Sequence, residues 1–146
     1  MPKSGNEAEG CVFDDENKHL LISREGERGY LKAFKSDTLE MIKVVDSRDG
    51  NITGDPEGVA IYATSENDGY IILSSQGGNE FNLYDRQNLT FIEKFKINGV
   101  EDTDGLDVTN NQVKGIFPIG FLVVQDGRNL PSNQNFKIIS ILFIDL

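Results

Sequence analysis

An all-β fold is what this sequence predicts: a β-propeller of about three four-stranded antiparallel blades, forming part of a ring. Three observations predict it. Short alternating or apolar runs are separated by Asp, Asn, Gly and Ser, and no segment sustains a helical period. An acid–glycine step recurs at Glu9, Glu57 and Asp104, with spacings of 48 and then 47 residues. Each step leads into a strand, a polar turn and a second, greasier strand, which is the content of a propeller blade.

Taken in order, residues 1–8 read as a polar N-terminal segment and residues 9–146 as one partial propeller. The first blade covers about 9–53. "EGCVFDDENKHLLIS" supplies its first two strands, "YLKAFK" the third and "EMIKVVD" the fourth. The second, about 54–101, repeats the plan with "EGVAIYATSENDGYIILSS", "FNLYDR" and "FIEKFKI". The third, about 102–146, has "DGLDVTNNQVKGIFPIGFLVVQ" and "NFKII", leaving only "LFIDL" for a fourth strand. An ordinary β-sandwich would explain the strands, but not the register of the acid–glycine step with both strands behind it. Propellers close with roughly four to eight blades, so three form an open arc.

Length and charge bound the function. A chain of 146 residues, 38% hydrophobic, suits one domain with a moderate core. The 24 acids against 14 bases give a net charge of −10. No basic cluster is present to meet a phosphate backbone, which argues against nucleic acid. No apolar run approaches the roughly 18 residues of a membrane span. The opening "MPKSGNEAEG" has no apolar signal-peptide centre, so the chain either is not exported in this form or begins downstream of the true start. Cys11, the single cysteine, lies in an apolar stretch and is expected to be a buried thiol, and His19 is expected on a surface turn.

The acids converge once the blade is drawn. First strands start, and second strands end, on one face of a propeller. Glu9, Asp55, Glu57, Asp102 and Asp104 stand at first-strand starts; Glu25, Gln76, Gln125 and Asp126 stand at second-strand ends. Carboxylates gathered at one mouth repel one another and raise each other's pKa. A hard divalent cation relieves that, and Ca²⁺ accepts six to eight oxygens in flexible geometry. One His and one Cys cannot build a nitrogen or sulfur site. "EDTDGLDV" lacks the spacing of an EF-hand, and neither a Walker-type phosphate loop nor a G-x-S-x-G elbow occurs. Arg86 of "YDRQ" is expected in a structural ion pair.

In this order, "EGCVFDDE", "DPEGVAIY", "GYIILSSQG", "LYDRQ", "DTDGLDV", "VVQDGRN" and "NQNFK" resemble the C-terminal half of the β-propeller phytases. The resemblance runs over roughly residues 9 to 138. It implies a six-bladed, calcium-dependent phosphatase acting on myo-inositol hexakisphosphate (phytate), usually secreted by bacteria. Carried over motif by motif, Glu9, Glu25, Asp55 and Glu57 match acids that hold calcium at the channel mouth, with Glu25, Asp55 and Glu57 at the reacting centre. Asp104, Asp126 and Asn129 look like ligands of a further, structural calcium, with Asp102 sharing the work of Asp104. Where the family has a longer acidic loop, this chain has "NGVEDTDG". The family's substrate-gripping Lys, Arg and Tyr belong to its N-terminal half, so the expected partners are that half or a second copy. Two functions stay open: a phytase, and a non-catalytic calcium-binding half-propeller.

Overall fold

The computed structural model describes residues 7–144, and it consists of three antiparallel sheets stacked face to face. The first sheet holds β1 (Ala8–Asp14), β2 (His19–Arg24), β3 (Tyr30–Lys35) and β4 (Met41–Ser47), in that order. The second repeats it with β5 (Asp55–Ala63), β6 (Gly69–Gln76), β7 (Glu80–Asp85) and β8 (Phe91–Phe95). The third holds β9 (Leu106–Thr109), β10 (Phe121–Asp126) and β11 (Asn135–Ser140). Among the described residues it has three strands, since Ile141–Phe143 close into a 3₁₀ turn in place of a fourth. The strands expected from sequence are therefore present, with this one shortfall.

The first strands β1, β5 and β9 lie side by side along the inner edge. Burial follows from the stacking. The second sheet is sandwiched, so β6 and β7 are buried on both faces along most of their length, Ser74, Ser75 and Asn82 included. One of its faces packs Ile71, Leu73 and Tyr84 against Leu21, Leu31 and Ala33 of the first sheet. The other packs Ile72, Phe81 and Leu83 against Leu122 and Val124 of the third. The two end sheets have only one covered face, so their strands alternate. Cys11 sits on the outward side of β1 and is exposed, not the buried thiol expected, because the strand period turns it away from β5.

The repeat extends to the outer turns. Leu39 and Leu89 both have positive φ, and each donates its backbone N–H to the residue four earlier, Lys35 and Asp85. On the end opposite the acids, Arg86 donates two parallel hydrogen bonds to Asp14, at 2.9 and 2.7 Å, and also reaches the carbonyls of Ser65 and Asp68. Arg86 thus forms the structural pair expected of it, one that ties two blades together. Burial penalises the Asp14 carboxylate, but Arg86 and Asn17 outweigh it and hold the group below its ordinary pKa. His19 opens β2 beside this pair and is half-buried rather than on a surface turn; burial lowers its pKa.

Candidate metal centre

The acid–glycine step is a built device. Register breaks between Ala8 and Cys11 in β1, and between Pro56 and Val59 in β5. Each break is a bulge containing the acid and its glycine, and bulges re-aim side chains at sheet edges. The glycines allow the inner strands to touch. A Cβ on Gly10 would lie 2.6 Å from the Glu57 carbonyl, and one on Gly58 would lie 2.8 Å from the Leu106 nitrogen. The Gly58 N–H donates to the Asp104 carbonyl at 2.9 Å. Ser23 holds the same seam in the first sheet, its buried hydroxyl set between the carbonyls of Gly10 and Glu57. Ser74, its counterpart in β6, approaches the Gly58 carbonyl at 3.4 Å.

This packing brings the acids of three blades to one mouth. Glu57 is 5% exposed. Its burial, and the charges of Glu9, Glu25 and Asp104 around it, raise its pKa from 4.5 to about 7, and a hydrogen bond shared with Glu9 also favours the protonated form. Glu7, Glu9 and Glu25 each offer a carboxylate oxygen within 4.8 Å of the others. The backbone fixes that trio, because the Glu25 N–H donates to the Glu7 carbonyl at 3.1 Å. Among the described residues, no Lys or Arg ion pair reaches Glu9, Glu25, Glu57 or Asp104. A buried acid ringed by acids is a costly arrangement for the protein alone, and an all-oxygen donor set fits a hard divalent cation.

Beside this group opens a cleft of about 410 Å³ lined by Asp55, Gln76, Asp102, Asp104 and Gln134, with Gly77 and Gly127. Two glutamines orient Asp104: the Gln76 amide donates to its carboxylate, and the Asp104 backbone N–H donates to Gln125 Oε1 at 2.9 Å. Asp102 has positive φ, 49°, and its N–H donates to the Asn79 side chain at 2.9 Å. Asp55 is paired with Arg48.

Asp126 and Asn129 stand apart. They line a second cleft of about 310 Å³ with Gly99, Glu101, Arg128, Leu130 and Lys137. Asp126 already has a cation, since Lys137 donates to it at 2.5 Å and holds its pKa down. It also accepts the Glu101 N–H at 3.1 Å. Asn129 donates to the Asn133 carbonyl.

Two residues of the mouth escape a reading by composition. Glu7 lies in the stretch taken as a polar N-terminal segment, yet its signal is in the sequence: "EAEG", "DPEG" and "DTDG" are the same acid-x-acid-Gly step. Arg48 gives no such signal, because its contact with Asp55 depends on how a turn folds.

Comparison with known proteins bears on this geometry. The sequence model of the family described as Phytase matches residues 3–145. A 3-phytase from Bacillus subtilis (strain 168) is 37% identical over 150 residues, an alignment covering 94% of this chain and 39% of that protein. The chain thus spans about two fifths of that relative's length. Among solved structures, a luciferin-regenerating enzyme superposes with a TM-score of 0.59 at 14% identity, over 92% of this chain and 45% of that one. The β-propeller domain of Cps50 (Swd1) from Myceliophteria thermophila gives 0.51 at 11% identity, over 93% and 39%. At such identities these two speak to the fold, which is that of a propeller arc.

Proposed function

Because the chain belongs to the phytase family, we propose that it carries the calcium-binding part of a phosphomonoester hydrolase acting on myo-inositol hexakisphosphate. The observation that carries the proposal is Glu57, buried among Glu9, Glu25 and Asp104 with no Lys or Arg ion-paired to it among the described residues. The proposed ligand set is Glu9, Glu25, Asp55, Glu57 and Asp104, with Glu7 and Asp102 at its margins. A calcium at Asp126 and Asn129 would have to displace Lys137, whereas at the mouth Asp55 alone of the proposed set is ion-paired among the described residues and four acids are open to the metal, so the mouth is the favoured site.

Bound calcium would turn an acidic mouth into one that attracts a polyanion and would polarise the phosphoryl oxygens. The residues do the rest. In the net reaction a water oxygen bonds to phosphorus, the ester P–O bond breaks, and the alcohol leaves with a proton. Glu57, whose pKa burial and the neighbouring acids raise to about 7 in the metal-free chain, is placed to take up and return the water's proton. Gln76 and Gln125 keep Asp104 facing the cleft. The partners proposed are phytate and the remaining blades of a six-bladed ring, supplied by further sequence or by a second copy. An extracellular setting belongs to the same proposal, since weak calcium sites are filled at extracellular calcium levels.

A non-catalytic calcium module is the second reading. It is favoured by the scarcity of cations at the mouth, where Arg48 is the one ion-paired to a cleft-lining acid among the described residues. One experiment separates the two. Myo-inositol hexasulfate, a non-hydrolysable stand-in for phytate, is titrated into the chain with calcium or with chelator, alongside a phosphate-release assay on phytate. The phytase reading predicts binding in calcium alone, with slow phosphate release by this chain. Absence of binding in both conditions would contradict it and favour the module.

A further inference from the structure

Arg48 follows β4 and bridges the turn after β2 and the start of β5, beside the mouth. Its Nε donates to the Gly54 carbonyl at 3.0 Å, its Nη1 to the Gly26 carbonyl at 2.7 Å, and its Nη2 pairs with Asp55 Oδ1. Those contacts span two segments that carry the acids. Gly26 follows Glu25, Gly54 precedes Asp55, and Asp55 is two residues from Glu57. Space has been left for the side chain. Gly29 has positive φ, 44°, and a Cβ there would lie 3.2 Å from Arg48 Nε and 3.3 Å from Cγ. The Arg48 N–H donates to the Arg28 carbonyl at 3.0 Å, which fixes the base of the side chain on the same turn.

A guanidinium has five N–H groups, and these contacts use three. Among the described residues, one N–H on Nη1 and one on Nη2 are left, on a side chain about a third exposed (31%). Two backbone carbonyls hold the plane of the group whether or not Asp55 is present. If a divalent cation takes Asp55, the Nη2 edge loses its partner and keeps its orientation. A planar, pre-oriented pair of N–H groups is suited to the oxygens of a tetrahedral oxyanion.

We propose that Arg48 is a phosphate-binding residue of this chain, parked on Asp55 until a divalent cation displaces it. Metal entry then exposes the anion site, so cation and phosphate bind with positive coupling. This rests on the metal reading of the mouth and adds a residue that grips the substrate to it.

The test is calorimetric titration of Ca²⁺ into the wild-type chain, Arg48→Gln and Arg48→Lys. Each titration is run in chloride and in sulfate at equal ionic strength, sulfate standing in for phosphate without precipitating calcium. Removing the resident cation should tighten calcium binding by Arg48→Gln about tenfold, within the range usual for coupled sites. Sulfate should tighten calcium binding by the wild type about fivefold and leave Arg48→Gln unmoved. Arg48→Lys keeps the competing charge without the fork, so it should match wild type in chloride and gain less from sulfate. A purely structural clamp would instead give Arg48→Gln weaker calcium binding and a lower melting temperature, and that result overturns the inference. Equal sulfate responses in wild type and Arg48→Gln overturn it too. Absence of calcium binding by the wild type would overturn the metal reading itself, and this inference with it.

Discussion

Glu57 illustrates how one residue's surroundings become a measurable dependence on pH. Its pKa rises from 4.5 in an unfolded chain to about 7 in the fold, through burial and the charges of Glu9, Glu25 and Asp104. Between those values the folded chain holds a proton that the unfolded chain has lost, so metal-free stability falls as pH rises from about 4.5 to about 7. His19, whose pKa is lowered by burial, works in the opposite sense as pH falls through its ordinary value of 6.5. Asp14, Glu80 and Asp126, all lowered, lose their contributions only in more acid solution. Comparing wild type with Glu57→Gln cancels these common terms. The expected result is a metal-free melting temperature that declines across this interval more steeply in wild type than in the variant. Parallel curves would mean that Glu57 ionises normally. Glu57→Gln should also weaken calcium binding about tenfold or more, as loss of a metal-site partner does, measured by calorimetry. Part of this was legible: the acid pair around Pro56, running into an apolar strand, already marked these carboxylates as a group. Glu7 was hidden in an apparently polar leader, and Arg48 could be placed only once its turn was folded.

At the scale of elements, the bulged first strands are where sequence and packing meet. Gly10 and Gly58 are glycines because the next blade's first strand occupies the place of a side chain. Gly105, in the same step of the third sheet, faces open space out to 4 Å. Gly58→Ala should therefore destabilise the chain by about 1–3 kcal/mol, the usual cost of overpacking, whereas Gly105→Ala should lie within about 0.5 kcal/mol of wild type. Urea midpoints of the two variants measure this, and equal losses would contradict the account of the step. The strand pattern was readable from sequence, since the period of two and the turn residues were unambiguous. What could not be read was which sheet would be covered on both faces. Cys11 shows the consequence: an apolar run is buried in the middle sheet and half exposed in an end sheet.

The whole molecule is an arc with two apolar ends. Phe13, Met41 and Val44 are exposed on the outer face of the first sheet, and Phe136 and Ile138 on that of the third. These faces are the counterparts of the buried seams between sheets, and exposed patches of this kind drive association. Self-association in the micromolar range is the expected outcome in sedimentation, reduced by Phe13→Asp and by Phe136→Asp. A monomer at every concentration would contradict it.

We propose that the carboxylates of three blades form a calcium site only when the chain is folded. A thermal melt in calcium, in magnesium and in chelator tests it most directly. A ligand that binds the folded state alone adds RT ln(1 + [L]/Kd), about 2.7 kcal/mol at a hundredfold excess over Kd. The account predicts a higher melting temperature in millimolar calcium, a smaller rise in magnesium, and a return to the metal-free value in chelator. Superimposable melts in calcium and in chelator would contradict it.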